Sequence, residues 1–273
     1  MVATGAARRG RRRSENSSVG YESTERAATA SEERDGYEAP SLPAVPDVAV
    51  PRDDVALLRY EDIPPQLGDA LRGIINRYEL RTGEKLPKSI AVTSPMPGEG
   101  VTTVSQALAT MIAQEVGRFV CWVDCAWLAG DVEQNGQSNR PNLIDILADQ
   151  SRILSAFRTS PDLPQLMTLS PGPVPEAKRN VIVRSPEFER LLSILAEEFD
   201  HVVFDIPPVL ATANGLALLR QADASLLVVR HRATMLQQVK RALELTQPVP
   251  NLAVVLNRYR TRVPSVFRRL LES

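Results

Sequence analysis

Ser89-Ile-Ala-Val-Thr-Ser-Pro-Met-Pro-Gly-Glu-Gly-Val-Thr-Thr-Val-Ser-Gln-Ala-Leu-Ala-Thr110 decides how the rest of the chain is read. Its first residues are a short β-branched run, which predicts a buried strand. The Pro/Gly segment from Pro95 to Gly100 predicts a tight loop, and Val104, Leu108 and Met111 at helical spacing predict a helix. A strand, a Gly-rich loop and a helix in that order make a phosphate cradle. Loop N–H groups and the positive end of the helix dipole converge there on an anion.

Against the pattern G-x-x-x-x-G-K-[S/T], Gly100 stands at the second glycine and Thr102 at the Mg²⁺-binding hydroxyl. Pro95 takes the first glycine and Val101 takes the lysine. The cradle is therefore predicted without its cation. Pro97, Gly98, Glu99, Gly100, Val101, Thr102 and Thr103 are its candidate nucleotide-binding residues.

Outward from this stretch, strands and helices alternate. Leu67 to Leu80 has a helical apolar face, and Phe119 to Asp124 reads as a second strand ending in a carboxylate. A short helix is expected from Asn142 to Asp149, capped by Asn142. A strand over Leu166–Ser170 is followed by a Pro-rich loop. Ser185-Pro186-Glu187 carries a cap, an N1 proline and an early acid, and opens a helix to Phe199. His201 to Asp205 is another strand ending in aspartate. Further elements are a helix over 214–220, a strand over 224–229, a helix over 235–246 and a strand over 252–257. The strands are continuous apolar runs, as expected of a mainly parallel sheet covered by helices. The fold class is thus α/β, a three-layer P-loop NTPase domain. Sites in such sheets lie at the carboxyl ends of the strands, where the loop, Asp124, Asp205 and Arg230 fall. Asp124 and Asp205 are the candidate catalytic acids. With Thr102 they are also the candidate Mg²⁺ ligands, and Arg230 joins the nucleotide-binding set.

Residues 1–55 are rich in Ser, Glu, Arg, Ala and Pro without periodic apolar spacing, and are expected to be a disordered tail. The domain is placed at 56–263 and a short basic tail at 264–273. Net charge is −1 from 32 basic and 33 acidic residues, which gives no global field toward nucleic acid. No apolar run is long enough to span a bilayer, and the Arg-rich start lacks the apolar core of a secretory signal. A cytoplasmic protein is expected. Cys121, Cys125, His201 and His231 are too scattered for a metal site, so the cysteines are read as buried reduced thiols.

These residues resemble the bacterial tyrosine kinases (BY-kinases) of capsule and exopolysaccharide assembly, relatives of the MinD/ParA-type P-loop ATPases. Ser94 to Thr103 is similar to the family's S-P-x-P-G-E-G-K-S/T-T, and Val123-Asp124 to the start of its second acidic motif, Walker A′. Asn142 to Ala148 is similar to G-L-S-D-V-L-A, and Phe199 to Leu210 to F-D-x-V-I-I-D-T-P-P-V-L. Val228-Val-Arg230 and Val254-Val-Leu-Asn257 match two later elements. The resemblance implies ATP and Mg²⁺ as cofactors, a membrane polysaccharide co-polymerase chain as partner, and a homo-oligomer. No nucleic-acid partner is expected. It also implies a place at the inner face of the plasma membrane through that partner.

Several positions depart from the family pattern. Besides Val101, the second Walker A′ acid is Ala126, and Asn214 stands where an aspartate follows the Walker B segment. Asp69-Ala-Leu-Arg72 keeps a shortened form of the oligomerisation motif, and no C-terminal tyrosine cluster is present. The favoured expectation is a degenerate relative that regulates or scaffolds polysaccharide assembly. An active ATP-dependent tyrosine kinase and a partitioning-type ATPase are the alternatives.

Overall fold

β1 (Ser89–Thr93) lies inside the sheet, parallel to both neighbours, β5 (His201–Asp205) and β6 (Ala224–Arg230). The computed structural model describes residues 57–126, 143–149, 152–160, 162–169 and 174–259. Among these, seven strands form one sheet in the order β3-β4-β2-β5-β1-β6-β7. β2 is Val120–Asp124, β3 Arg158–Ser160, β4 Leu163–Leu169 and β7 Asn251–Asn257. Every pairing is parallel except β3 with β4.

The central strands are buried because helices cover both faces. Ile90, Ala91 and Val92 of β1 are wholly buried, as are Leu226, Leu227 and Val228 of β6. α2 (Val101–Glu115) is apolar nearly all round, with buried residues from Val104 to Ala113, since the sheet lies on one side and α1 (Pro65–Thr82) on the other. Two polar groups inside this layer satisfy each other, the Trp122 indole N–H donating to Ser105 Oγ at 3.0 Å. α6 (Pro186–Glu198) starts as the sequence predicts. Ser185 Oγ accepts the Phe188 N–H at 3.2 Å, and Pro186 takes the first turn, where no partner is needed.

Several elements differ from those expected from the sequence. The strand expected at 166–170 begins earlier, at Leu163, and pairs with β3, which was not foreseen. Helices α4 (Ile153–Ala156) and α5 (Glu176–Val183) were also missed, the latter following the Pro-rich stretch. α3 is Leu143–Ala148, α7 Ala213–Leu219 and α8 Leu236–Thr246, with Met235 as the cap of α8 rather than its first residue. β7 is not buried on both faces. It is an edge strand with Val254 and Leu256 exposed. The proposed cap Asn142, the N-terminal tail and residues 264–273 lie outside the described residues.

Candidate functional site at the phosphate loop

The loop leaves β1 at its carboxyl end and returns the chain as α2 at Val101. It turns so tightly because Gly98 and Gly100 adopt φ of 77° and 93°. At Gly100 the need is also steric: a Cβ there would sit 2.1 Å from Asn257 Nδ2. Asn257, at the end of β7, donates instead to the Glu99 carbonyl at 2.8 Å.

Glu99 turns inward. At 3% exposure its carboxylate takes the Met96 N–H at 3.3 Å and the hydroxyl of Thr234. What Glu99 offers a ligand is therefore its backbone. Further bonds fix the other side of the loop. Val209 N–H donates to Ser94 O at 2.9 Å, and Thr93 Oγ1 to Pro207 O at 2.9 Å. Pro97, Gly98, Thr102 and Thr103 are exposed, whereas Val101 is half-buried and packs its methyls against the apolar core. The lysine position is thus filled by part of the core.

β2 and β5 are adjacent and in register, so Asp124 and Asp205 stand side by side at their ends. Asp205 is 1% exposed, and its Oδ2 has no hydrogen-bond partner among the described residues. Burial pushes its carboxyl up to about 7; the bond with the Thr102 side chain works against this, and the neighbouring Asp124 adds to it. Asp124 Oδ1 accepts the Ala126 N–H at 2.9 Å. Sequence reasoning placed Thr102, Asp124 and Asp205 at one site, and the fold brings them together. An orphaned buried carboxyl oxygen beside a hydroxyl fits a divalent cation that takes its remaining ligands from phosphate and water. Among the described residues no cluster of three or more His, Cys, Asp or Glu offers a protein-only metal site.

Asn214 is buried, and its Nδ2 has no partner among the described residues. Cys121 and Cys125 are free and wholly buried, and burial pushes both thiols up. Arg230 is exposed at the end of β6. It connects to the loop through Thr234, whose Oγ1 accepts the Arg230 N–H at 2.9 Å while its hydroxyl donates to Glu99. Thr234 and Asn257 brace Glu99 from 135 and 158 residues away; the sequence marked Asn257 as part of a matched element without its role, and Thr234 not at all.

Arg72 serves a different end of the molecule. Its guanidinium bonds Glu115 of α2 at 2.9 Å, Asp69 at 2.8 Å and the Tyr60 hydroxyl at 3.2 Å. The Arg72 bond, helped by the Tyr60 hydroxyl that donates to Glu115 Oε1 at 2.6 Å, holds Glu115 below the usual carboxylate range. Asp69-Ala-Leu-Arg72 thus ties α1 to α2 within the chain.

No family model matches the chain. The tyrosine-protein kinase YwqD of Bacillus subtilis strain 168 is 30% identical over 174 residues, which cover 63% of this chain and 72% of YwqD. The chain belongs to the bacterial tyrosine-protein kinase family. Longer relatives include the tyrosine-protein kinase ptk of Acinetobacter johnsonii, 28% identical over 56% of this chain, and wzc of Salmonella typhimurium, 28% identical over 74%. This chain spans only 21% and 27% of their respective lengths. Among solved structures, the VpsO kinase domain aligns with TM-score 0.60 and 25% identity, covering 74% of this chain and all of that one. The septum site-determining protein MinD from Pyrococcus horikoshii, complexed with Mg-ADP, aligns with TM-score 0.51 and 22% identity over 68% of this chain and 77% of its own. The fold of this tyrosine kinase relative is therefore the one shared with MinD-type P-loop ATPases.

Proposed function

We propose that this chain is a degenerate tyrosine-kinase module that binds Mg-nucleotide weakly, turns it over slowly or not at all, and regulates or scaffolds capsule or exopolysaccharide assembly. One observation carries the reading: a braced phosphate loop in which the lysine position, Val101, contributes half-buried methyls to the core and no charge. Backbone N–H groups from Gly98 to Thr103 would receive the phosphates. Thr102, Asp124 and Asp205 would hold Mg²⁺, which would supply positive charge to the nucleotide phosphates. Asp205 has to give up its proton to do so, and its burial opposes that near neutral pH.

The neighbouring alanine at position 126 leaves no second Walker A′ acid to orient or deprotonate an acceptor hydroxyl. The lasting contribution of the chain is then its surfaces. Its partner is a membrane-anchored polysaccharide co-polymerase chain, and the domain runs from about 56 to 263. No described helix is long and apolar enough to cross a membrane. Titration calorimetry with ATP, with and without Mg²⁺, and a phosphate-release assay test the catalytic half. Weak Mg-dependent binding with negligible release is expected, and tight binding with turnover overturns it. Co-purification with a membrane protein tests the partner.

A further inference from the structure

β7 is covered on one face only. Val255 is buried in the core that α1 and α2 share, and Ala253 packs against the same core. Val254 and Leu256 point the other way, at 43% and 49% exposure. They stand in register with Leu227 and Val229 of β6, which are buried in a cluster with Val239, Ala242 and Leu243 of α8. Among the described residues, the helical cover on this face therefore stops at β6, one strand short of the sheet edge. Edge strands are ordinarily blunted by charge or covered by a helix or loop. No charge blunts this face, since its outward residues are a valine and a leucine.

A segment with matching chemistry follows on the same chain. Tyr259 is the last described residue, and residues 260–273 read Arg-Thr-Arg-Val-Pro-Ser-Val-Phe-Arg-Arg-Leu-Leu-Glu-Ser. Val263, Val266, Phe267, Leu270 and Leu271 have the i, i+3, i+4, i+7, i+8 spacing of one helix face. At about 100° per residue they share an arc of about 140°, and Ser265, Arg268, Arg269 and Glu272 fall outside it. Pro264 suits the first turn of such a helix, where no N–H is needed.

Reach and length agree as well. Residues 258–262 extend to about 17 Å, enough to leave the carboxyl end of β7 and reverse direction. Nine helical residues, 264–272, are about 13 Å long, against about 7 Å between Val254 and Leu256. We propose that residues 264–272 form an amphipathic helix that docks its apolar stripe on Val254 and Leu256 and completes the helical layer over the edge of the sheet. Asn257 ends the same strand and holds the Glu99 carbonyl at 2.8 Å, so the docked helix steadies a strand that braces the phosphate loop.

The test is NMR on the full-length protein with labelled valine and leucine methyls and phenylalanine rings. Nuclear Overhauser contacts from the Phe267 ring to the Val254 and Leu256 methyls are expected. A mixed sample, with rings labelled on one chain and methyls on another, should show none. Phe267→Asp with Leu270→Asp should speed exchange of the β7 amides that pair with β6 at least tenfold. Arg268→Gln with Arg269→Gln, on the polar face, should change neither contacts nor exchange, and thermal melts establish that each variant is folded. Absence of the contacts in the native protein, or unchanged exchange in the Phe267 and Leu270 double variant, would overturn the proposal. So would contacts in the mixed sample, which would give the face to a second copy. Flotation with phosphatidylglycerol and phosphatidylethanolamine vesicles that depends on Phe267, without the β7 contacts, would give the stripe to a lipid surface and also overturn it.

Discussion

Restoring the lysine separates what the phosphate loop keeps from what it has lost. Val101 is half-buried, so Val101→Lys forfeits part of one side chain's apolar contact, roughly 0.5–1 kcal/mol, and the lysine stem recovers some of that. The fold should survive. The gain lies at the phosphates, where one charge-assisted contact is worth about 1.5–3 kcal/mol, or roughly ten- to a hundredfold in Mg-ATP affinity. The loop is ready for that contact, since Asn257, Thr234 and Val209 brace its backbone. Turnover should recover much less, because Ala126 leaves Asp124 without a second acid. Losing one transition-state cation alone can cost on the order of 10³–10⁵ in rate. Rates approaching those of a kinase are expected only from Val101→Lys with Ala126→Asp. Calorimetry and phosphate release on the four proteins of this cycle read both effects. If the unmodified protein already binds Mg-ATP as tightly as Val101→Lys, a substitute cation is at work and the reasoning fails. Arg230, tied to Glu99 through Thr234, is then the first residue to change.

Four other outcomes are expected. Asp205 has a folded-state pKa of about 7, above the 3.8 of a free aspartate, so its contribution to stability is present below pH 4 and is lost as pH rises through 7. Asp205→Asn should flatten that decline and raise stability at pH 8 by up to roughly 4 kcal/mol, read from urea unfolding across pH; an unchanged pH profile would contradict it. Thr234→Val leaves the buried Glu99 carboxylate with one long bond and should cost about 1–3 kcal/mol in the same assay. Cys121 and Cys125, buried with raised thiols, should ignore a thiol reagent in the native protein and both react after unfolding. Phosphopeptide mapping should find any tyrosine modification at Tyr21 and Tyr37, which lie outside the described residues amid acidic neighbours, and not solely at Tyr259.

Legibility in the sequence followed the range of the physics involved. The strand, loop and helix around the cradle were readable because each is set locally by β-branched runs, by glycines at positive φ and by apolar spacing. Ser185 and Pro186 announced α6 for the same reason. The elements between β2 and β5 were harder. β3 has three residues and α4 four, too few for a period to show, and the Pro-rich stretch before α5 masks an eight-residue helix. The two acids were readable as strand ends, but their adjacency depends on the parallel register of β2 and β5, which no local pattern encodes. The meeting of basic residues at the ends of β6 and β7 was hidden almost entirely. Arg258 lies near Arg230 only because β6 and β7 pair in parallel, with Arg230 opposite Asn257.

A valine at position 101 is compatible with the fold because distant parts of the chain brace the loop. In a cradle held open by phosphate, removing the cation would leave the loop's N–H groups converging on nothing. Here three distant braces do the holding: the Glu99 carboxylate on Thr234, the Glu99 carbonyl on Asn257, and Ser94 on the segment after β5. The valine at 101 then adds apolar contact where a lysine would add desolvation cost. On the proposed reading, a chain working through its surfaces would keep those braces while its catalytic charges drift, as the alanine at 126 and the asparagine at 214 would exemplify. The braces and the charges are therefore separable by experiment. Asn257→Ala should disturb the loop and every surface built on it, whereas Val101→Lys should change nucleotide affinity and leave those surfaces as they are.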